Sequence, residues 1–318
     1  MEDKLKEYNP HLSFYSLRTY LSLFRTICRK IKEPFTENAK WFKDNKEKII
    51  EYINTIQSDH SKKTKLAVVI VMAKAYGVPD NELSTYTDLI EELSNSINTF
   101  NKTHEMTEEQ KQNWLTIPEL EQVLKKMQRK LIKISDVDNW NEYNLWVKYF
   151  ILYMIVYGKY ALRNNWVNMK IIKTSTQPED KTTNYIIWNK KGSKVSAQLC
   201  LNAYKTVKSY GPKSFDITNT EILKLIPKIQ ELVNKFCHNG YLVCKQNGDP
   251  ISQDQFSKWF ATIFKEFSDK HLTTTMLRHI VASSQWTPEE IEQQEKREQE
   301  ADIMGHSIDQ SFNTYVKK

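Results

Sequence analysis

The sequence predicts a mainly α protein with one small antiparallel β-sheet, divided into two domains. Three observations carry this expectation. A length of 318 residues exceeds the ~100–200 of an average domain. Only 7 Gly and 9 Pro stand against 8 Trp, 16 Tyr and 13 Phe, which suits long, aromatic-rich helices better than a turn-dense β-protein. Apolar residues follow a helical period along most of the chain and depart from it in one patch, residues 184–217. With 40% hydrophobic and 27% charged residues, a buried core is well supplied and wholesale disorder is excluded.

In chain order, the start Met1-Glu2-Asp3-Lys4-Leu5-Lys6 is charged and has no apolar run of the signal-peptide kind. Residues 13–21 open an amphipathic helix with Leu17, Tyr20, Leu21 and Phe24 on one stripe. Helical patterns recur over 45–56, 63–75 and 85–98. The Glu- and Gln-rich stretch 101–112 has little to bury and is the expected linker, giving domains of 1–112 and 113–318. Helices resume at Thr116-Ile117-Pro118-Glu119, where Thr caps, Pro sits early and Glu complements the dipole. The longest apolar run, Tyr149 to Tyr157, is far shorter than the ~20 residues that span a bilayer and reads as a buried helix, ending in Ala161-Leu162-Arg163-Asn164-Asn165-Trp166. Residues 184–188, 195–201 and 214–217 are β-branched and aromatic, with turn chemistry at Lys191-Gly192-Ser193 and Tyr210-Gly211-Pro212, and form the sheet. Helices follow at 221–236, 253–267 and onward.

Charge is unevenly placed. Residues 1–112 hold 17 basic and 17 acidic side chains, whereas 113–318 hold 29 and 22, so the net +7 resides in the second part. Within the first part, 14 basic residues face 9 acidic through Lys65, followed by 3 against 8. This suits a module that meets an anion with one side. Four cysteines are too few for a disulfide framework and fit a reducing, intracellular setting; nucleus and cytoplasm are not separated. Cys237, His238 and Cys244 lack a second ligand cluster, so the cysteines read as small apolar fillers. The sequence shows neither a carboxylate metal cluster nor a phosphate-binding glycine loop, and no metal or other cofactor is expected.

Four features of the second part stand out: Arg163 after the apolar helix, Tyr204-Lys205-Thr206 ahead of a Gly-Pro turn, Thr275-Met276-Leu277-Arg278-His279, and Met304-Gly305-His306-Ser307 with Tyr315 nine residues beyond His306. Together, in this order, they resemble the tyrosine recombinase (phage integrase) family. The similarity is detailed over roughly 115–318. The string Tyr-Lys-Thr-x-Lys-x-Tyr-Gly at 204–211 is most like integrases of large DNA viruses and their mobile elements.

The resemblance implies a helical core-binding domain and a catalytic domain that close on double-stranded DNA as a C-shaped clamp, with four copies acting on paired sites. It implies that Arg163 and Arg278 hold the scissile phosphate, His306 adds a hydrogen bond, Lys205 protonates the departing 5′-oxygen, and Tyr315 forms a 3′-phosphotyrosyl bond. The chemistry is coherent. Cleaving a phosphodiester without metal needs fixed cations on the non-bridging oxygens, and a guanidinium fork meets two of them without losing its charge. Lys208 is the alternative acid. Arg18, Arg25, Lys190, Lys191 and Lys208 are expected to touch DNA phosphates, and His279 to be structural.

The chain also departs from the family. Thr275 stands where His is usual, Ala161 where Gly is usual, and Trp166 where an acidic residue is usual. Residues 287–300 form a longer charged helix than the family has, and only Val316-Lys317-Lys318 follow Tyr315, leaving no C-terminal helix to donate to a neighbour. Two alternatives stay open: a type IB topoisomerase or telomere resolvase with the same chemistry, and a catalytically weak DNA-binding relative, to which Thr275 points.

Overall fold

The computed structural model describes residues 1–174, 176 and 178–305. Contacts divide the chain into two compact units, Met1–Met106 and a second beginning at Thr107.

The first unit is helical: α1 Glu2–Tyr8, α2 Phe14–Ile31, α3 Ala39–Asp44, α4 Lys46–Asn54, α5 Asp59–Ala75 and α6 Ser84–Lys102. Ser13 caps α2 by accepting the Ser16 N–H at 3.1 Å, and the helix stops at Lys32, whose backbone is left-handed. Leu17, Leu21, Phe24 and Ile27 are its buried stripe. Phe24 meets Phe35 edge-on at 4.9 Å and Trp41 at 5.6 Å, joining α2 to the segment around α3. α5 begins four residues earlier than its apolar pattern suggests, because Ser58 caps it and its first turn is polar.

In the second unit, α7 Glu108–Asn113 and α8 Ile117–Leu131 each start with a reciprocal capping box, Thr107 with Gln110 and Thr116 with Glu119. The expected linker 101–112 is thus partly helical, spanning the end of α6 and most of α7. α9 Trp140–Val156 buries ten side chains around its circumference, as a central helix must. β1 Met169–Lys173, β2 Asn184–Lys191, β3 Lys194–Leu201, α10 Val207–Tyr210 and β4 Lys213–Ile217 follow. The chain then runs through α11 Thr220–Phe236, α12 Gln253–Phe267, α13 Thr274–Ser283 and α14 Pro288–Ile303.

The sheet order is β1-β2-β3-β4. The three expected strands pair antiparallel, Tyr185 opposite Cys200 and Leu199 opposite Phe215. β1 joins them parallel to β2, Met169 opposite Asn184, so the sheet is mixed rather than purely antiparallel. One face sends Ile171, Ile186, Trp188, Leu199 and Ile217 into the helical core. A parallel β1–β2 pair followed by an antiparallel β3 has a geometrical consequence. The starts of β1 and β2 and the end of β3 lie at one edge of the sheet.

Two local expectations are corrected. The apolar helix does not reach Arg163. α9 ends at Val156, and the Met154 carbonyl accepts the N–H groups of Gly158 at 3.1 Å and Tyr160 at 3.2 Å around a left-handed Lys159. Cys237 and Cys244 are not separate fillers either, for they are disulfide-bonded, with Cα atoms 6.1 Å apart and both residues buried. Cys28 and Cys200 are free thiols, and burial pushes that of Cys28 up to about 11. Among the described residues, no helix is long and apolar enough to cross a membrane.

Candidate active site

Three of the cations singled out in the sequence line one open cavity of about 760 Å³ in the second unit: Arg163, Lys205 and Arg278. They arrive from three separate places. Arg163 lies on the irregular segment between α9 and β1, Lys205 on the connection from β3 to β4, and Arg278 in the second turn of α13. Asn164, Asn165, Asn168, Tyr204, Thr206 and Gln253 supply the polar remainder, and among the described residues no carboxylate lines the cavity. Three cations lining one cavity give it a positive potential that favours an anion.

Each segment is fixed by contacts that can be named. Beyond Arg163, Trp166 is wholly buried and Val167 nearly so, which anchors the segment in the core. This explains why an acidic residue is absent at 166: the position is an apolar plug. Arg278 is held by α13, which Thr273 caps and which buries Met276, Leu277, Ile280 and Val281 on its inner side. The Arg278 Nε donates to the Ala161 carbonyl at 3.0 Å, aligning the guanidinium beside the Arg163 segment. Burial, and next the charge of Arg163, hold Arg278 below the usual guanidinium value. Like charges are therefore brought near each other.

Lys205 does not end a strand. β3 stops at Leu201, and Lys205 lies four residues further on. Its connection is braced by Tyr204, whose hydroxyl donates to the Gly211 carbonyl at 2.5 Å across α10. Gly211 adopts a φ of 67°, a conformation that a side chain would oppose. Lys208 sits on α10, exposed and outside the cavity lining.

A set of asparagines, whose roles sequence reasoning missed, knits these segments together. The Asn164 Oδ1 accepts from Thr274 Oγ1 at 3.1 Å and from Ser257 Oγ at 3.3 Å, tying the Arg163 segment to the helix of Arg278. The Asn165 Nδ2 donates to the Ala203 carbonyl at 3.2 Å, and the Asn202 Nδ2 to the Thr183 carbonyl at 3.0 Å. The available signal was the Asn164-Asn165 pair directly after Arg163.

The remaining candidates lie elsewhere. Thr275 is exposed one turn before Arg278 and is not part of the cavity lining. His279 is also exposed. Lys190 and Lys191 are exposed at the far end of β2, six and seven residues beyond Asn184, which at ~3.3 Å each is about 20 and 23 Å along the strand. In the first unit, Arg18 and Arg25 are exposed on α2, Arg18 stacked 5.4 Å over the Phe14 ring. His306 and Tyr315 lie outside the described residues.

No protein-family model matches the chain, and no curated protein matches it. Among solved structures, the crystal structure of XerA recombinase is similar to 92% of this chain over 87% of its own length, with 15% sequence identity and a TM-score of 0.34.

Proposed function

We propose that this protein is a DNA strand-transfer enzyme of the tyrosine recombinase type, acting in the integration or excision of viral or mobile-element DNA. The observation that supports it is the convergence of Arg163, Lys205 and Arg278 on one cavity that, among the described residues, has no carboxylate in its lining. In this reading Tyr315 Oη attacks the scissile phosphorus and releases its phenolic proton to water. The bond from phosphorus to the 5′-oxygen breaks, and the Lys205 ammonium gives that oxygen its proton. Arg163 and Arg278 neutralise the charge that grows on the two non-bridging oxygens, and His306 contributes a further hydrogen bond. The phosphotyrosyl linkage conserves the ester, so rejoining needs neither nucleotide nor metal.

The phosphate contacts of Arg18, Arg25, Lys190, Lys191 and Lys208 belong to the same proposal, as does a tetramer on two duplexes. The test is covalent trapping on a nicked suicide duplex in EDTA without nucleotide. Wild-type protein is expected to form an adduct that mass spectrometry locates on Tyr315. Tyr315→Phe, which removes one oxygen, is expected to bind the duplex equally well and to form none. A nucleotide attached to another residue, or a strict requirement for magnesium, overturns the assignment.

A further inference from the structure

We infer that Asn184 is a positioning residue that sets Lys205 against the two arginines. The inference rests on the reading of Lys205 as the acid that protonates the leaving 5′-oxygen. Asn184 is the first residue of β2 and has no solvent exposure. An amide side chain offers two donors and two acceptor positions, and here its oxygen and nitrogen together make four contacts. The oxygen accepts from the backbone of Asn202 at 2.9 Å and of Ala203 at 2.8 Å, and the nitrogen donates to the carbonyls of Ala203 at 3.0 Å and Asn165 at 3.2 Å.

The partners matter more than the number. Asn165 is two residues beyond Arg163, and Ala203 is two residues before Lys205. One buried amide thus links the backbone of the first arginine to that of the lysine, at the sheet edge where β1 and β2 begin and β3 ends. Lys205 itself is exposed on a long stem, so the placement of its backbone sets the region its ammonium can reach. An error of ~1 Å in such placement commonly slows catalysis by about 10²-fold. Because Arg278 is held through α13, and the Arg163 segment also through buried Trp166 and the Asn164 bonds to Thr274 and Ser257, loss of the Asn184 link is expected to impair proton delivery more than the phosphate clamp.

The experiment compares cleavage of a normal nicked duplex with one carrying sulfur in place of the bridging 5′-oxygen, a leaving group that needs no proton. Lys205→Ala and Asn184→Ala are both expected to slow cleavage of the normal duplex by ~10-fold or more and that of the sulfur duplex by about 3-fold or less, with DNA affinity unchanged. If sulfur rescues Lys205→Ala while Asn184→Ala slows both duplexes equally, Asn184 is merely structural and the inference is overturned. If sulfur fails to rescue Lys205→Ala, the acid assignment itself falls and takes the inference with it. Should Asn184→Ala not fold, Asn184→Asp keeps the shape and the two accepted bonds but loses the donation to Asn165 and Ala203, and the same sulfur-selective pattern is required of it.

Discussion

Lys148 carries a charge into a half-buried place. It sits on α9, donating to Thr262 Oγ1 at 2.8 Å and lying 4.8 Å over the Trp259 ring, and burial pulls its pKa down to about 8, partly offset by Glu266. In the unfolded chain the same ammonium titrates near ~10.4. Between these values the unfolded state holds more protons, so stability is expected to rise with pH through this window relative to Lys148→Met. Denaturant titrations of both proteins at pH 7.5 and 10 check this, and a difference that does not change between the two pH values refutes it. Such behaviour could not be read from residue 148, since the sequence gives no sign of what surrounds it. The cationic cluster was easier to read. Arg163, Lys205 and Arg278 are recognisable because few residue types can hold a phosphate. Asn164 and Asn184 were invisible as site builders, because an amide takes its meaning from whichever carbonyls and hydroxyls the fold brings to it.

At the scale of elements, the exit from α9 sets where Arg163 can lie. A Cβ on Gly158 would approach the Met154 carbonyl oxygen to 2.7 Å and the Tyr160 ring to 2.5 Å. The backbone oxygen cannot yield, and the Tyr160 hydroxyl is engaged with the Asp216 carbonyl of β4 at 3.1 Å. Gly158→Ala is therefore expected to destabilise the protein by ~1–3 kcal/mol and to slow DNA cleavage, as Ala161–Asn165 is displaced. Equilibrium unfolding gives the first result and trapping kinetics the second; unchanged stability overturns the close-approach argument. The amphipathic helices were legible because their period is written locally. The end of α9 was not, as the apolar run continues to Tyr157 and the stop depends on a left-handed Lys159. β1 was missed for a different reason. Five residues gain strand character here from parallel pairing with β2, across an intervening stretch the sequence cannot close by itself.

For the whole molecule, the surplus of positive charge in the second part suggests that affinity for DNA is governed by counterion release. If about five phosphates are neutralised, log affinity is expected to fall against log salt with a slope near −4.5. A slope near zero in fluorescence-anisotropy titrations at several salt concentrations would contradict DNA binding through phosphates. The cavity has a thermodynamic side as well. Arg163 and Arg278 are held near enough for each other's charge to be felt, and among the described residues no carboxylate lines the site to relieve it. Arg163→Ala is accordingly expected to melt no lower than wild type, while sulfate raises the melting temperature of wild type more than that of the variant; equal shifts refute this. Sequence changes that ease the cavity are then expected to make a sturdier fold and, under the proposed chemistry, a poorer catalyst, so screening variants for heat resistance alone would select against the residues proposed to act on DNA.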